Sequence, residues 1–347
     1  MKRPQPQFWK WSLRVAVAAL LIAGVFSLFS LESLGEVLSR CRVVPLLHAL
    51  ALFFCACVSV GLAWQVLLRP WGYKLGLLPA IRLSMLGFFF NNLVPSGVTG
   101  EFYRVFAIGR MGVDRVAAVT SVFIERWSAF LALILATAFS ILGAWPILRG
   151  VQVGSTLGRF YEPLASVRLD WLLLIFLGLL SAGFLGTSIW LIHSVKSGCP
   201  QKWERYRLGI SVPEFVQGLG RYRHCVWEFL LATCINLASP LLEGLAFSSI
   251  ADALGLELSP ALFLVFTPLF RALNHLPITI NAVGTQEVAS VVFWQPLGAL
   301  PEQAVAISLL IHALKITISL LGGPLYFCGR EYRLERALEE SDDAFGG

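Results

Sequence analysis

The chain has 347 residues, 57% of them apolar and 14% charged, with a mean hydropathy of +0.73 and a formal net charge of +6. Soluble domains carry about 25% charged residues, so this is the composition of an integral membrane protein and leaves no room for a soluble catalytic domain. The modest positive balance suits cytoplasmic loops lying against anionic headgroups rather than a nucleic-acid partner.

In chain order, Lys2, Arg3, Lys10 and Arg14 precede an apolar run from Val15 to Leu31. That run is too long for a cleaved signal and no Ala-x-Ala site follows, so it reads as an uncleaved first span near 13–31. Further full spans of about 20 residues or more are expected near 44–68, 117–147, 170–194, 226–250 and 303–327. Two other apolar regions, 76–115 and 260–300, carry Pro and Gly breaks. The segment 196–225 holds Lys196, Lys202, Arg205, Arg207, Arg221 and Arg223, and the tail 328–347 holds Arg330, Arg333 and Arg336. Positive charge marks both as cytoplasmic, together with the N-terminus.

Counting crossings from these anchors makes region 76–115 enter from the cytoplasm and return to it. Region 260–300 then enters and leaves from the outside, where the preceding loop 251–259 has no Lys or Arg, so each broken region is either a re-entrant hairpin or a pair of short spans. The arginines of loop 148–169 (Arg149, Arg159, Arg168) pull against its outside placement. The expected fold is an all-α polytopic membrane protein forming one transmembrane domain over 1–347. It has about six full spans plus two oppositely oriented re-entrant helical hairpins in an inverted repeat, with repeat one over about 13–147 and repeat two over about 170–327.

The two breaks share one pattern. The first reads Asn92-Leu-Val-Pro-Ser-Gly-Val-Thr-Gly-Glu101 followed by Arg104; the second reads Asn274-His-Leu-Pro-Ile-Thr-Ile-Asn-Ala-Val-Gly284-Thr-Gln-Glu287. Each has a Pro, then a Gly, then a Glu, and each runs on to a further Gly (Gly112, Gly298) before a small-residue helix start at Ala117-Ala118 or Ala304-Val-Ala306. Pro and Gly together break a helix, and broken helices in matching places of two halves point to a transporter-type site near mid-membrane.

Charges inside apolar sequence cost roughly 2.5–3.5 kcal/mol each on insertion scales and need a reason. Glu101 and Arg104, three residues apart, share one helix face and are expected to pair. Glu125 and Arg126 interrupt the span at 117–147, where Arg126 also suits an interfacial position. Arg271, Asn274 and His275 precede the second break. Glu243 lies beside Pro240, and Lys315 lies within the last span with His312 three residues earlier on the same face. A structural role is open to each: a hairpin-holding pair for Glu101–Arg104, a broken-helix cap for His275, a packed helix position for His312, a buried acid for Glu243, and interface or core positions for His48 and His193.

The functional alternative gathers them into a polar cavity between the hairpins. There half-helix N-termini favour an anion and Arg104, Arg271 and Lys315 add positive charge for a phosphate headgroup, with Glu101 and Glu287 available to exchange protons. The chain has no phosphate loop, no His-Glu-x-x-His and no Gly-x-Ser-x-Gly motif. Its seven Cys do not form a disulfide framework: Cys55, Cys57 and Cys234 sit in apolar runs, and Cys55-Ala-Cys57 is too tightly spaced for a zinc site.

At these motifs the sequence resembles the flippase-like integral membrane family that includes the transmembrane region of lysylphosphatidylglycerol synthases. The resemblance covers about residues 15 to 327. The family's Pro, Gly-Gly-Asp-like turn, Arg and following acid–Arg pair match Pro95, Thr99-Gly100-Glu101, Arg104 and Glu125-Arg126. Its Leu-Pro…Gly-x-Arg-Glu pattern matches Leu276-Pro277…Gly284-Thr-Gln-Glu287. Thr99-Gly-Glu in place of Gly-Gly-Asp and Gln286 in place of a common Arg are departures that bear on headgroup preference.

The resemblance implies lipid translocation between leaflets, of a phospholipid or a polyprenyl- or hopanoid-type lipid. The substrate-binding residues would be Pro95, Gly100, Glu101, Arg104, Glu125, Arg126, Arg271, Asn274, Pro277, Gly284, Glu287 and Lys315. It implies no enzyme activity, because the soluble aminoacyltransferase domain would follow Phe327, and no cofactor or metal. The expected partners are a membrane lipid with an anionic or aminoacylated headgroup and lipid-biosynthesis enzymes, with no nucleic acid, and the expected site is a prokaryotic inner (plasma) membrane. Two other readings are a non-catalytic membrane scaffold for a lipid-synthesis complex, and an intramembrane lipid-modifying enzyme with Glu101 or Glu287 as base.

Overall fold

The computed structural model of the protein describes residues 31–93, 99–149, 168–197, 211–275 and 282–327. Among these the chain is helical: α1 (Leu31–Ser39), α2 (Val43–Leu68), α3 (Leu77–Leu93), α4 (Thr99–Arg110), α5 (Arg115–Leu148), α6 (Leu169–Ser197), α7 (Val212–Arg221), α8 (Val226–Ala253), α9 (Pro260–His275), α10 (Thr285–Trp294) and α11 (Pro301–Phe327). Short 3₁₀ turns occupy Arg69–Trp71, Tyr222–His224 and Gln295–Leu297.

Five stretches are long and apolar enough to cross a membrane: Val43–Trp71, Arg115–Pro146, Asp170–His193, Val226–Ala253 and Pro301–Pro324. They coincide with five of the expected spans; the sixth, near 13–31, lies outside the described residues, as do 198–210 and the tail 328–347. The end of the segment expected as a basic loop is a helix, α7. Its start carries the Ser-x-x-Glu signature: the Glu214 N–H donates to Ser211 Oγ at 3.4 Å and the Ser211 N–H donates to the Glu214 carboxylate at 2.5 Å.

Each interrupted region resolves into a helix pair, α3 with α4 and α9 with α10, and the order of elements is the same in both halves. A long helix (α2 or α8) leads to a medium one (α3 or α9), then a short one (α4 or α10), then a long one (α5 or α11). The stops are also alike. Gly112, after α4, and Gly298, after α10, have φ of +96° and +97°, a left-handed conformation that costs glycine nothing. In both, the next residue's N–H reaches back five positions, Val113 to the Ile108 carbonyl and Ala299 to the Trp294 carbonyl, which satisfies carbonyls that lipid would leave bare. The same bond pattern ends the long helices before the breaks, at Gly72 and Gly255.

The described residues fall in two compact units. One draws on Met1–Phe53, Thr137–Ile175 and Glu243–Ile316; the other on Phe54–Ala136, Phe176–Leu242 and Thr317–Gly347. In the second unit Trp64 and Leu68 of α2, Leu83 of α3, Ile108 of α4 and Ala117, Ala118 and Val122 of α5 form a buried core. Asp114 caps α5, its carboxylate accepting the N–H groups of Val116 and Ala117 at 3.0 and 3.3 Å. The small residues here let helices approach closely, as membrane helix contacts require. A Cβ on Gly322 of α11 would lie 2.7 Å from the Met85 carbonyl of α3.

In the first unit, α9 and α10 are joined by aromatic rings. Phe263, Phe266 and Phe270 repeat at helical spacing along α9, and Phe263 lies 4.3 Å from Trp294 while Phe266 stacks on Phe293 at 4.8 Å. Pro268 lies inside α9 and lacks the N–H that would bond the carbonyl four residues back, that of Leu264. The Ser140 hydroxyl of α5 donates to that carbonyl at 2.9 Å instead. Ser140→Ala is therefore expected to lower stability by about 0.5–2 kcal/mol. In a Pro268→Ala background, where the backbone can supply the bond, the same change should have little effect; thermal melting of the four proteins in detergent checks this, and equal losses in both backgrounds would exclude the compensation.

Candidate functional site

The first break places its charges between α4 and α5 in the second unit. The α4 helix starts at Thr99 against α3. Asn91 of α3 caps it from across the hairpin, its Oδ1 accepting the Gly100 N–H at 2.7 Å and its Nδ2 donating to Glu101 at 3.4 Å. The two helices touch backbone to backbone there: a Cβ on Gly100 would lie 2.1 Å from the Gly87 carbonyl and 2.8 Å from the Asn91 side chain. That contact is what the Gly in the first motif provides.

Glu101 and Arg104 do not form the same-helix pair expected from their spacing. Arg104 Nη1 donates to Glu125 Oε2 at 3.0 Å, and Arg126 pairs with Glu101. The four charges thus cross-pair between α4 and α5. The reason is depth. Arg104 is 2% exposed, with its guanidinium 4.1 Å over the ring of buried Trp64, whereas Glu101 is 20% exposed. The indole face draws the cation inward, where the fully buried Glu125 meets it, and Glu101 is left to the shallower Arg126. Trp64 is itself held by its Nε1–H donating to Ser121 Oγ at 3.1 Å.

Neutralised in charge, this cluster still has unused hydrogen-bonding capacity. Arg104 Nε and Nη2 and Glu125 Oε1 are buried with no protein partner. A guanidinium offers five N–H donors in a planar fork that fits carboxylate or phosphate, and only Nη1 of Arg104 is used by Glu125. The arrangement can accept an anion's oxygens on the remaining edge without disturbing the Glu125 pair.

The second break builds a cluster in the first unit. Glu287, in the first turn of α10, accepts the Gly284 N–H on Oε2 at 2.6 Å and the Ser308 hydroxyl on Oε1 at 3.2 Å, and His312 Nε2 lies 3.2 Å from Oε1. Gly284 at φ +86° and Ala282 at +57° shape the turn that allows this cap. Lys315 Nζ donates to Gln286 Oε1 at 3.3 Å, so Ser308, His312 and Lys315, on one stripe of α11, all face the start of α10. Arg271 of α9 lies 3.5 Å from Glu243 of α8. Lys315 is within electrostatic reach of Glu243, Arg271 and Glu287, which ties these residues together.

Of the residues expected to form a site, Gly100, Glu101, Arg104, Glu125 and Arg126 meet in one cluster, and Arg271, Gly284, Glu287 and Lys315 in the other. Asn274 lies in the last turn of α9, and Pro95 and Pro277 lie outside the described residues. Glu243 and His312, weighed as a buried acid and a packed residue, are direct partners of Arg271 and Glu287. Two residues that hold the first cluster were not legible. Asn91 is adjacent to Asn92 of the motif and distinguished only by which side of the helix it takes. Trp64 lies in an ordinary apolar span, 40 residues from the Arg104 it contacts.

Removing one member of a buried pair strands the other at a cost of about 3–5 kcal/mol, more than replacing both. Arg104→Met and Glu125→Leu are each expected to lower the melting temperature sharply, and the double variant to recover much of the loss. Gly100→Ala should destabilise by at least about 1–3 kcal/mol through overpacking, since backbone rather than a flexible side chain opposes the new methyl. Thermal unfolding monitored by size-exclusion recovery reads all four.

The pattern of the family described as the lysylphosphatidylglycerol synthase TM region matches residues 11–323 of the chain. No curated protein matches it. The match runs through both helix pairs and both charge clusters, and on it the chain belongs to the lysylphosphatidylglycerol synthase TM region family.

Proposed function

We propose that the protein translocates a lipid between leaflets, with the phosphate of an anionic or aminoacylated headgroup engaging the free edge of Arg104. The carrying observation is a guanidinium 2% exposed, beside a broken helix, with Nε and Nη2 unpaired by protein. Family membership supports a role at a membrane and with lipids. A charge cluster that is already neutral in each unit suits transient engagement, because a headgroup then competes for donors without meeting an uncompensated cation that would hold it too tightly. In this reading the protein is not an enzyme and needs no cofactor, and the acyl tails stay in the bilayer while the headgroup passes.

The helix pairs α3–α4 and α9–α10 are read as re-entrant hairpins entering from opposite faces, α3–α4 from the cytoplasm, with both termini cytoplasmic in a prokaryotic inner membrane. The repeated element order and the matched glycine stops support a repeat; the basic residues of 196–225 support the orientation. Single cysteines at Gly97 and Thr285 in a Cys-free protein test it. Gly97 should label from the cytoplasmic side and Thr285 from the other, and labelling of both from one side would remove the inverted arrangement.

Reconstituted in liposomes, the protein should move labelled phosphatidylglycerol, lysyl-phosphatidylglycerol or polyprenyl phosphate across the bilayer. Arg104→Lys keeps the charge but loses the fork, and should slow transport about tenfold or more, in keeping with the roughly 1.5–3 kcal/mol of a hydrogen bond to a charged group. No movement of any of these lipids would exclude translocation. A scaffold for lipid-biosynthesis enzymes has one observation in its favour, the α6 span, of which only 6% is buried. It would gain if Arg104→Ala and Glu287→Ala kept full function in cells.

A further inference from the structure

A cavity lies wholly within the unit that holds Arg104, on a face of α5 other than the one that carries Glu125. It has a volume of about 560 Å³, within the range of small-molecule sites. Trp127 and Leu131 of α5, Phe184 and Ser188 of α6 and Phe229 of α8 line it, and Arg223 stands among the lining residues just before α8 begins. Its walls are firm. Trp127 stacks on Phe184 at 5.0 Å and on Phe123 at 5.8 Å, and Phe123 meets Phe215 of α7 edge-on at 5.2 Å.

Two polar features break this apolar lining. The Ser188 hydroxyl is shielded from solvent and has no protein partner. Arg223 is exposed and, among the described residues, makes no ion pair or hydrogen bond. Its neighbours are already committed. The Tyr222 hydroxyl donates to the Leu67 carbonyl at 2.7 Å and accepts from Trp71 Nε1 at 3.1 Å, burial holding the phenol protonated well above its ordinary range. Arg221 donates to the Pro70 carbonyl and lies over the Trp71 ring. Among the described residues, Arg223 is thus the rim cation without a partner.

The rim has the chemistry of a membrane interface. It stands where α8 enters its span, next to Trp227, which is 81% exposed, and tryptophan and arginine together mark headgroup depth. Below it the cavity continues as an apolar slot toward mid-span residues of α5. An apolar slot, a buried hydroxyl donor and a free cation at headgroup level match, in that order, an acyl chain, an ester oxygen and a phosphate.

We infer that this groove is a binding site for an anionic phospholipid of the leaflet at the α7 end, one acyl chain lying against Trp127, Leu131 and Phe184 and its phosphate on Arg223. The site is separate from the Arg104 cluster and does not depend on translocation. It holds a lipid in place between α5, α6 and α8, and it gives the thinly buried α6 a lipid-filled contact with its neighbours.

Native mass spectrometry of the detergent-purified protein, titrated with dioleoyl-phosphatidylglycerol and dioleoyl-phosphatidylcholine, tests this. The wild type should retain one phosphatidylglycerol with about tenfold preference over phosphatidylcholine, the scale of one charge-assisted contact. Arg223→Ala, an exposed position whose change leaves the fold intact, should abolish the preference while Arg223→Lys restores part of it. Leu131→Trp, which fills the slot, should lose both lipids. Equal binding of the two lipids, or an unchanged preference in Arg223→Ala, would overturn the site. So would displacement of the phosphatidylglycerol by inorganic phosphate alone, which would make it a free-anion site, or a dimer that Leu131→Trp dissociates, which would give the groove to a second copy of the chain. Because Arg104 is untouched, translocation can fail with this site intact, and this site can fail with translocation intact.

Discussion

A charge or an open backbone group has no partner in hydrocarbon, and the described structure is organised around supplying one. Breaking a helix inside a bilayer exposes N–H and carbonyl groups worth several kcal/mol each if unpaired. The protein interrupts its helices twice, and in each unit side chains capture backbone groups so released. Asn91 takes the Gly100 N–H, Glu287 takes the Gly284 N–H, and Ser140 takes the carbonyl that Pro268 frees. The buried acids then need partners, and Arg126 beside Glu101 and His312 beside Glu287 meet that need.

The two units reach this end with different materials. In one, two glycines allow α3 and α4 to meet at backbone distance, and the charges are sunk beside an indole ring. In the other, a ladder of phenylalanines spaces α9 from α10, and the acid is enclosed by a hydroxyl and an imidazole from α11. Each cluster sets two acids, Glu101 and Glu125 or Glu243 and Glu287, against two basic side chains, Arg104 and Arg126 or Arg271 and Lys315. Balance lowers the cost of burial, and it also leaves Arg104 with donors to spare, which is the chemical basis for the transport reading. The groove at Arg223 is unlike either cluster: its cation is exposed and has no acidic partner among the described residues, as befits a group whose counter-charge comes from the bilayer.

Most of the helical layout was legible because length and hydropathy suffice for it. Five expected spans match five long apolar helices, and the paired Pro-Gly-Glu motifs mark where the breaks fall. Gly112 and Gly298 could be singled out from the sequence and prove to be left-handed stops, since no other residue adopts that conformation at so little cost. The helix α7 was overlooked although its Ser-x-x-Glu start is a local signal, because the density of basic residues around it reads as loop.

Pairing was not legible. The spacing of Glu101 and Arg104 is a sound local rule for an isolated helix, and it failed because a buried guanidinium is placed by whatever lies beneath it, here an indole from another helix. Composition, spans, break positions and the identity of the charged residues were determined by the sequence alone, since each depends on local hydropathy and backbone freedom. Which acid meets which cation, which asparagine of Asn91 and Asn92 caps α4, and the existence of a slot beneath Arg223 were decided only by tertiary structure. Those depend on distances between segments far apart in the chain, which helical periodicity does not encode.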